Sequence, residues 1–272
     1  MTVQTSIEEL RESAKHIKAV FFDIDDTLRL KNEEYLPESA KEAFKRLKEK
    51  GIITGIASGR AYYGIVQEVL DLGADYYVTI NGQYVSTPTH EEIYSNPIPP
   101  EIVEKLVKWT KQEDIQYVAL GSNSVAISKW DTFGREALPI VYGDLHEDDQ
   151  FYKKHPIYQM LTIADPDKTI TLPDDLVQHV RLVKWHPNSD DIIPMNGSKA
   201  NGIEQVLKKL NLTSENICVF GDELNDTEMF QYAGLSIAMG NANPKIKELA
   251  DFVTKSVRED GILYALELLG II

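Results

Sequence analysis

Short apolar runs, each followed by an amphipathic stretch, recur at both ends of this chain. That rhythm restricts the fold more than any other feature. Near the start, "IKAVFF" (17–22) reads as a buried strand. "PESAKEAFKRLKEKG" (37–51) follows, with Ala40, Ala43, Phe44 and Leu47 on one helical stripe. Pro37 suits a first helical turn and Gly51 suits the stop. "IITGIAS" (52–58) is a second apolar run, "AYYGIVQEVLDLG" (61–73) a second predicted helix, and "DYYVTING" (75–82) a third strand. The far end repeats the pattern with a helix in "SKANGIEQVLKKL" (198–210), a strand in "NICVFGD" (216–222) and a helix in "DTEMFQYAG" (226–234). A strand in "LSIAMG" (235–240) and helices in "NPKIKELA" and "DGILYALELLG" complete it. Continuous apolar strands alternating with helices are the signature of a parallel sheet covered on both faces. Ile7, Leu10, Ala14 and Ile17 add a short helix ahead of the first strand.

Between these halves the texture changes. "PPEIVEKLVKWTKQ" (99–112) is helical, whereas "IQYVALG", "SVAIS", "YQMLTIA" and "RLVKWHP" are strand-like and often alternating. Alternation of apolar and polar residues suits a largely antiparallel α+β unit. The segment is far longer than the roughly 15 residues a structureless loop reaches. The expected organisation is an α/β, Rossmann-like core built from residues 1–83 and 191–272, with an α+β domain inserted at 84–190. The acidic run "GDLHEDDQ" (143–150) reads as a solvated turn.

Charge narrows the partners. A net charge of -15 and a pI near 4.8 repel nucleic acid and anionic membranes, so neither is an expected partner, and an anionic ligand needs a local positive site. The single cysteine, Cys218, cannot form an intramolecular disulfide, which fits a reducing compartment. No stretch reaches the roughly 20 apolar residues of a membrane span, and residues 1–18 lack the apolar core of a secretory signal. A cytoplasmic monomer or homodimer is the expectation.

Four segments place chemistry where strands end or helices begin. "FFDIDDTL" (21–28) sets Asp23, Asp25 and Asp26 directly behind an apolar run. Parallel α/β sheets bind ligands beyond the carboxyl ends of their strands, and carboxylates there suit a hard cation. "IASGR" offers Ser58, the Gly59 N–H and Arg60 as a small anion site. Lys199 stands at a predicted helix start, where an ammonium can neutralise phosphate oxygens. "FGDELND" supplies Asp222 to complete a magnesium site with Asp23, with Asn225 and Asp226 fixing its geometry from behind. Each piece alone also has a structural reading: an acidic turn, an N-cap serine, a surface lysine, an Asx-rich turn. Their joint order favours chemistry.

In these motifs the chain resembles the haloacid dehalogenase superfamily phosphatases of the Cof type, which carry a large α/β cap between the second and third motifs. The resemblance rests on DIDDT (23–27), ASGR (57–60), Lys199 in GSKANG and GDELND (221–226). "TINGQYV" (79–85) is similar to the family's Asn-Gly stretch leading into the cap, and residues 238–262 to its C-terminal segment. Ser58 stands where Thr is commoner, and Glu223 where a small or uncharged residue is usual.

The resemblance implies a Mg²⁺-dependent hydrolase of small phosphorylated metabolites. Asp23 would be the nucleophile and Asp25 the general acid and base. Asp23, the Asp25 backbone carbonyl and Asp222 would hold Mg²⁺. Ser58, Gly59, Lys199 and Asn225 would hold the transferring oxygens, with Arg60 as a further contact. The cap would close over the site and select the leaving group; Trp130, Phe133, Arg135, Tyr142 and Tyr158 are its candidate pocket residues. Two rivals share parts of the pattern. A phosphomutase usually carries a smaller, earlier cap, yet residues 23–58 have room for only one helix and turns. A receiver-like module, in which phospho-aspartate is the signal, would not need the large insert.

Overall fold

The structure is a computed structural model and describes residues 6–33, 35–138 and 145–272. Strands in chain order are β1 (Ala19–Phe22), β2 (Ile53–Ala57), β3 (Tyr76–Thr79), β4 (Tyr84–Ser86) and β5 (Glu92–Ser95), then β6 (Gln116–Leu120), β7 (Val125–Ile127), β8 (His146–Glu147) and β9 (Gln159–Ile163). They continue with β10 (Val180–His186), β11 (Ser189–Pro194), β12 (Ile217–Gly221), β13 (Leu235–Ala238) and β14 (Phe252–Val253). The helices are α1 (Ile7–Ala14), α2 (Glu38–Glu49), α3 (Gln67–Leu70), α4 (Pro100–Gln112), α5 (Thr132–Ala137), α6 (Lys199–Leu210), α7 (Thr227–Tyr232), α8 (Pro244–Leu249) and α9 (Gly261–Leu268).

The chain divides into two compact units. One comprises Met1–Gly59, Ile65–Tyr94 and Ser198–Ile272; the other comprises Arg60–Gly64 and Ser95–Gly197. The first is the expected α/β core. Its eight-stranded sheet has the order β14-β13-β12-β1-β2-β3-β4-β5, parallel from β14 through β3. The chain runs outward from β1 in one direction through β2 and β3, and in the other through β12, β13 and β14. The strand order therefore reverses between β1 and β12, and it is beyond the carboxyl ends at such a reversal that parallel sheets bind ligands. Phe22 is in register with both Phe220 and Ile56, so Asp23, Asp222 and Ser58 leave the sheet along one edge.

Packing explains why that edge is rigid. All four residues of β1 are fully buried. The Phe22 ring stacks on Phe220 at 5.1 Å and lies 4.9 Å from Phe44 of α2. Burying such a side chain stabilises by roughly 1.5–3 kcal/mol, and each aromatic pair adds about 1 kcal/mol. The residue before Asp23 thus anchors the strand tip in the core.

The second unit carries the sheet β10-β11-β9-β6-β7-β8, antiparallel except for the β7–β8 pair. One cluster packs α4 through Ile102, Leu106 and Trp109 against Tyr117, Met160 and Ile192; another gathers Val118, Leu120, Ile127, Leu138 and Leu161.

Three details differ from the sequence reading. The helix expected over 61–73 is a 3-10 turn at Tyr62–Gly64 followed by the short α3, because Val66 adopts an extended backbone behind Gly64 and Ile65. Strands β4 and β5, lying beyond residue 83, extend the eight-stranded sheet, since β4 turns straight back antiparallel onto β3. At the other junction, β11 runs past residue 190 within the six-stranded sheet. Tyr142 lies outside the described residues, as does the side chain of Arg135; so do residues 143 and 144 of the acidic run. Trp130 and Phe133 pack on the second of those clusters, and Tyr158 is buried with its hydroxyl 2.9 Å from Ser95 Oγ.

Candidate active site

Asp23 follows β1 and is held there by its own backbone, whose N–H donates to the Phe220 carbonyl at 3.0 Å. The next residues form a tight turn. Ile24 O accepts from the N–H groups of Leu28 and Arg29, and Asp26 takes the left-handed conformation (φ 58°). The Asp26 carboxylate accepts from the Lys31 N–H, and its carbonyl accepts from Asn241 Nδ2. Asp26 therefore serves the turn, a task short Asp side chains perform well.

Lys199 is the first residue of α6. Ser198 caps that helix by accepting from the Asn201 N–H, and Ile203, Val206 and Leu207 bury its apolar stripe. Those constraints deliver a lysine that is wholly buried. Its ammonium donates to Asp23 Oδ1 at 2.8 Å and to Asp226 Oδ1 at 2.6 Å. Asp226 is fully occupied behind the site, because its Oδ2 accepts the backbone N–H groups of Asp222 (2.9 Å) and Glu223 (3.1 Å). It thereby folds the loop after β12 so that Asp222 faces Asp23.

Thr27 was not singled out by sequence reasoning, although it lies inside the first motif. Its buried hydroxyl donates to Asp222 Oδ1 at 2.7 Å, tying the first motif to the last. Only the chain's folding brings residues so far apart together, so no local pattern signals the pairing. Glu223 is turned onto its own loop: Oε1 accepts from the Leu224 N–H and from Asn243 Nδ2.

The carboxylates of Asp23, Asp222 and Asp226 lie within 4.8 Å of one another, all buried. Burial, opposed by Lys199, pushes the Asp23 carboxyl up to about 7, and Asp226 and Asp25 push the same way. Burial, then Asp23 and Asp226, lift Asp222 to about 9 against the pull of Thr27 and Lys199. For Lys199 burial favours the free amine, but Asp226 and Asp23 outweigh it and hold the ammonium above its ordinary range. Three carboxylates against one ammonium leave this buried pocket short of positive charge. One divalent cation would bring the set to neutrality, and oxygen donors of this kind suit a hard ion. The residues present therefore fit such a metal, with Asp23 and Asp222 as the side chains that would hold it.

A stability prediction follows. Without metal, the folded state holds protons on Asp23 and Asp222 that the unfolded chain, with aspartates near 3.9, has released. Metal-free stability should therefore fall as pH rises from about 4 through 7 for Asp23 and through 9 for Asp222. A cation that binds the ionised carboxylates should reverse this loss. Thermal unfolding with Mg²⁺ and with EDTA should show a larger Mg²⁺-induced rise in Tm at pH 8.5 than at pH 6. An equal or smaller rise at pH 8.5 would refute the coupling.

The remaining sequence candidates are distributed as follows. The Asp25 side chain is half-buried and stands outside the carboxylate trio. Ser58 is buried just beyond β2, where its N–H donates to Val78 O and its carbonyl accepts from the Asn81 N–H. Asn225 sits in the loop after β12, with Nδ2 donating to Asn81 Oδ1 at 3.3 Å. Arg60 is buried, and its Nη1 donates to the Gly64 carbonyl within the other unit.

This geometry can be set beside known proteins. A model of the haloacid dehalogenase-like hydrolase family matches residues 20–266. The chain belongs to that family. "Putative bifunctional phosphatase/peptidyl-prolyl cis-trans isomerase" of Streptococcus pyogenes serotype M6 is 49% identical over 97% of this chain and 56% of its own length, so this hydrolase spans little more than half of that relative. "Putative phosphatase YkrA" of Bacillus subtilis is 35% identical, covering 94% of this chain and 98% of its own. Among solved structures, the HAD subclass IIB sugar phosphatase BT4131 superposes with a TM-score of 0.81 at 26% identity, over 94% of this chain and 100% of that one. The haloacid dehalogenase assignment read from the motifs, with its Cof-type (subclass IIB) α/β fold, therefore holds. Among the described residues, no helix is long and apolar enough to cross a membrane.

Proposed function

We propose that this hydrolase is a Mg²⁺-dependent phosphatase of small phosphomonoesters, sugar phosphates or phosphorylated cofactors, acting through an aspartyl phosphate on Asp23. One observation carries the reading: the Asp23 carboxylate lies at a strand tip, hydrogen-bonded to a buried ammonium and grouped with two further buried carboxylates. A nucleophilic anion can approach an anionic phosphate only where positive charge is gathered, and phosphoryl transfer needs positioning and neutralisation above all. A divalent cation held by Asp23 and Asp222 would supply that charge.

In the first half-reaction an Asp23 oxygen forms a bond to phosphorus as the bond to the leaving oxygen breaks, and Asp25 gives that oxygen its proton. In the second, Asp25 takes a proton from water as the water oxygen attacks phosphorus. Orthophosphate forms and the Asp23 carboxylate is released. Half-buried and outside the trio, Asp25 is suited to exchange protons with substrate and water. Ser58, the Gly59 N–H, Lys199 and Asn225 hold the transferring oxygens, Arg60 adds a further contact, and the inserted unit selects the leaving group. The sugar phosphatase activity named for BT4131 supports sugar phosphates as a substrate class.

A phosphate-release screen over small phosphomonoesters, with and without Mg²⁺, tests the proposal. Release should require the metal and favour a subset of the panel. No release from any compound, an activated aryl phosphate included, would overturn it. Asp25→Ala should lower kcat/KM for alkyl phosphates by about 10²–10⁴-fold and for an activated aryl phosphate far less, because kcat/KM reads formation of the phosphoenzyme and only the poor leaving group needs a proton there. Equal losses of kcat/KM on both would remove Asp25 as the acid.

A further inference from the structure

The turn Ile80-Asn81-Gly82, which joins β3 to β4, is strained. All three residues have left-handed backbones, with φ of 52°, 50° and 86°. Ile80 is β-branched and fully buried, and such residues rarely adopt positive φ because of the steric cost. Strain of this kind persists where the surroundings over-determine it. Here three separate parts of the site press on the turn. The Asn81 N–H donates to the Ser58 carbonyl at 3.0 Å. The Asn81 carboxamide packs on Gly59 so closely that a Cβ added there would lie 3.2 Å from Asn81 Oδ1. Asn225 Nδ2 donates to that same oxygen at 3.3 Å. Gly82 lies against the start of α6, where a Cβ would come within 2.0 Å of the Ser198 carbonyl and 3.2 Å of Lys199 Cα.

One turn therefore touches the segments that present Ser58, Gly59, Lys199 and Asn225. Asn81 itself is almost fully buried, and its carbonyl accepts from Gln83 Nε2. We propose that Asn81 is a positioning residue for the transferring phosphoryl group: its carboxamide sets Asn225 and the Ser58–Gly59 turn at once, holding oxygen-binding groups from two strands in register. This rests on the phosphatase reading above. The left-handed backbone is the means. It presents the side chain at position 81 to Gly59, just beyond β2, and to Asn225.

The test separates side chain from backbone. Asn81→Gly removes the carboxamide while keeping a residue at ease with φ near 50°. The expected result is a Tm close to wild type, a kcat/KM lowered about 10- to 100-fold, and weaker inhibition by orthovanadate, a mimic of the five-coordinate phosphorus. Asn225→Ala should give a loss of the same kind. The double variant should lose less than the product of the two single losses, because part of what Asn81 does passes through Asn225. An unaltered kcat/KM and vanadate affinity in Asn81→Gly would overturn the inference, as would full additivity of the two substitutions. Should Asn81→Gly lose stability, its kcat/KM and vanadate affinity read well below its Tm decide the matter: losses there support the positioning role, and wild-type values refute it. Wild-type protein that releases phosphate while these variants behave as wild type refutes only the inference. Wild-type protein that releases none refutes the phosphatase reading, and the inference with it.

Discussion

Asp23→Asn should leave a folded protein whose Mg²⁺-dependent phosphate release is reduced by about 10⁴-fold or more. The amide keeps the shape of the carboxyl and still offers an oxygen to Lys199, but it cannot form an acyl phosphate. Its effect on stability should run opposite to its effect on activity. Without metal, Asp23 is a buried carboxyl that resists ionisation, and a neutral amide removes that burden. At pH 8 the metal-free variant should therefore melt at or above the wild-type temperature, and Mg²⁺ should raise its Tm less than it raises that of wild type. Steady-state rates, thermal melts and mass spectrometry of acid-quenched enzyme would check these points. Near-wild-type turnover in the purified variant would exclude Asp23 as the nucleophile.

Lys199→Met should cost both stability and rate. The ammonium is wholly buried and serves two carboxylates that are themselves 8% and 0% exposed, so solvent screens neither contact. Removing one partner of such a set leaves charge uncompensated and destabilises by about 3–5 kcal/mol. Turnover should fall about 10²–10³-fold, the loss typical when a charge-stabilising donor is removed from a site. The double variant Lys199→Met with Asp226→Asn tests the electrostatic cause, because it deletes a stranded negative charge along with the positive one. Urea denaturation should find it more stable than Lys199→Met alone. If the double variant is no more stable, lost packing and not lost charge explains the effect.

Much of this molecule was legible in the sequence because local rules dictated it. The apolar run ending in Phe22 had to be a strand in the core, and Asp23 had to stand at its tip. The stripe Ile203, Val206 and Leu207 required a helix, and Lys199 stood at its predicted start, where α6 does begin. Other features were beyond local rules. The helix expected over 61–73 fails at Val66, whose extended backbone nothing in the helical pattern announces. Thr27 reads as an ordinary turn residue until Asp222 arrives opposite it. Asn81 reads as half of a simple Asn-Gly turn. Its neighbours Ser58 and Asn225 come from distant parts of the chain, and so does the strain at Ile80 that marks the turn.

By itself, then, the sequence determined which residue types stand at which strand tips, since alternation of apolar runs and amphipathic helices leaves a parallel sheet few alternatives. From that followed the two halves of the core, the inserted unit and the cast of carboxylates, hydroxyl and lysine. Only the tertiary structure decided how that cast is shared out. Lys199 bridges Asp23 and Asp226, Asp226 faces backbone amides, Glu223 turns to Asn243, and Asn81 joins Ser58 to Asn225. The reason is physical. A strand or helix is set by neighbours a few residues away, whereas the charge balance and hydrogen bonding of a buried site depend on groups that meet only when β1 and β12 pair.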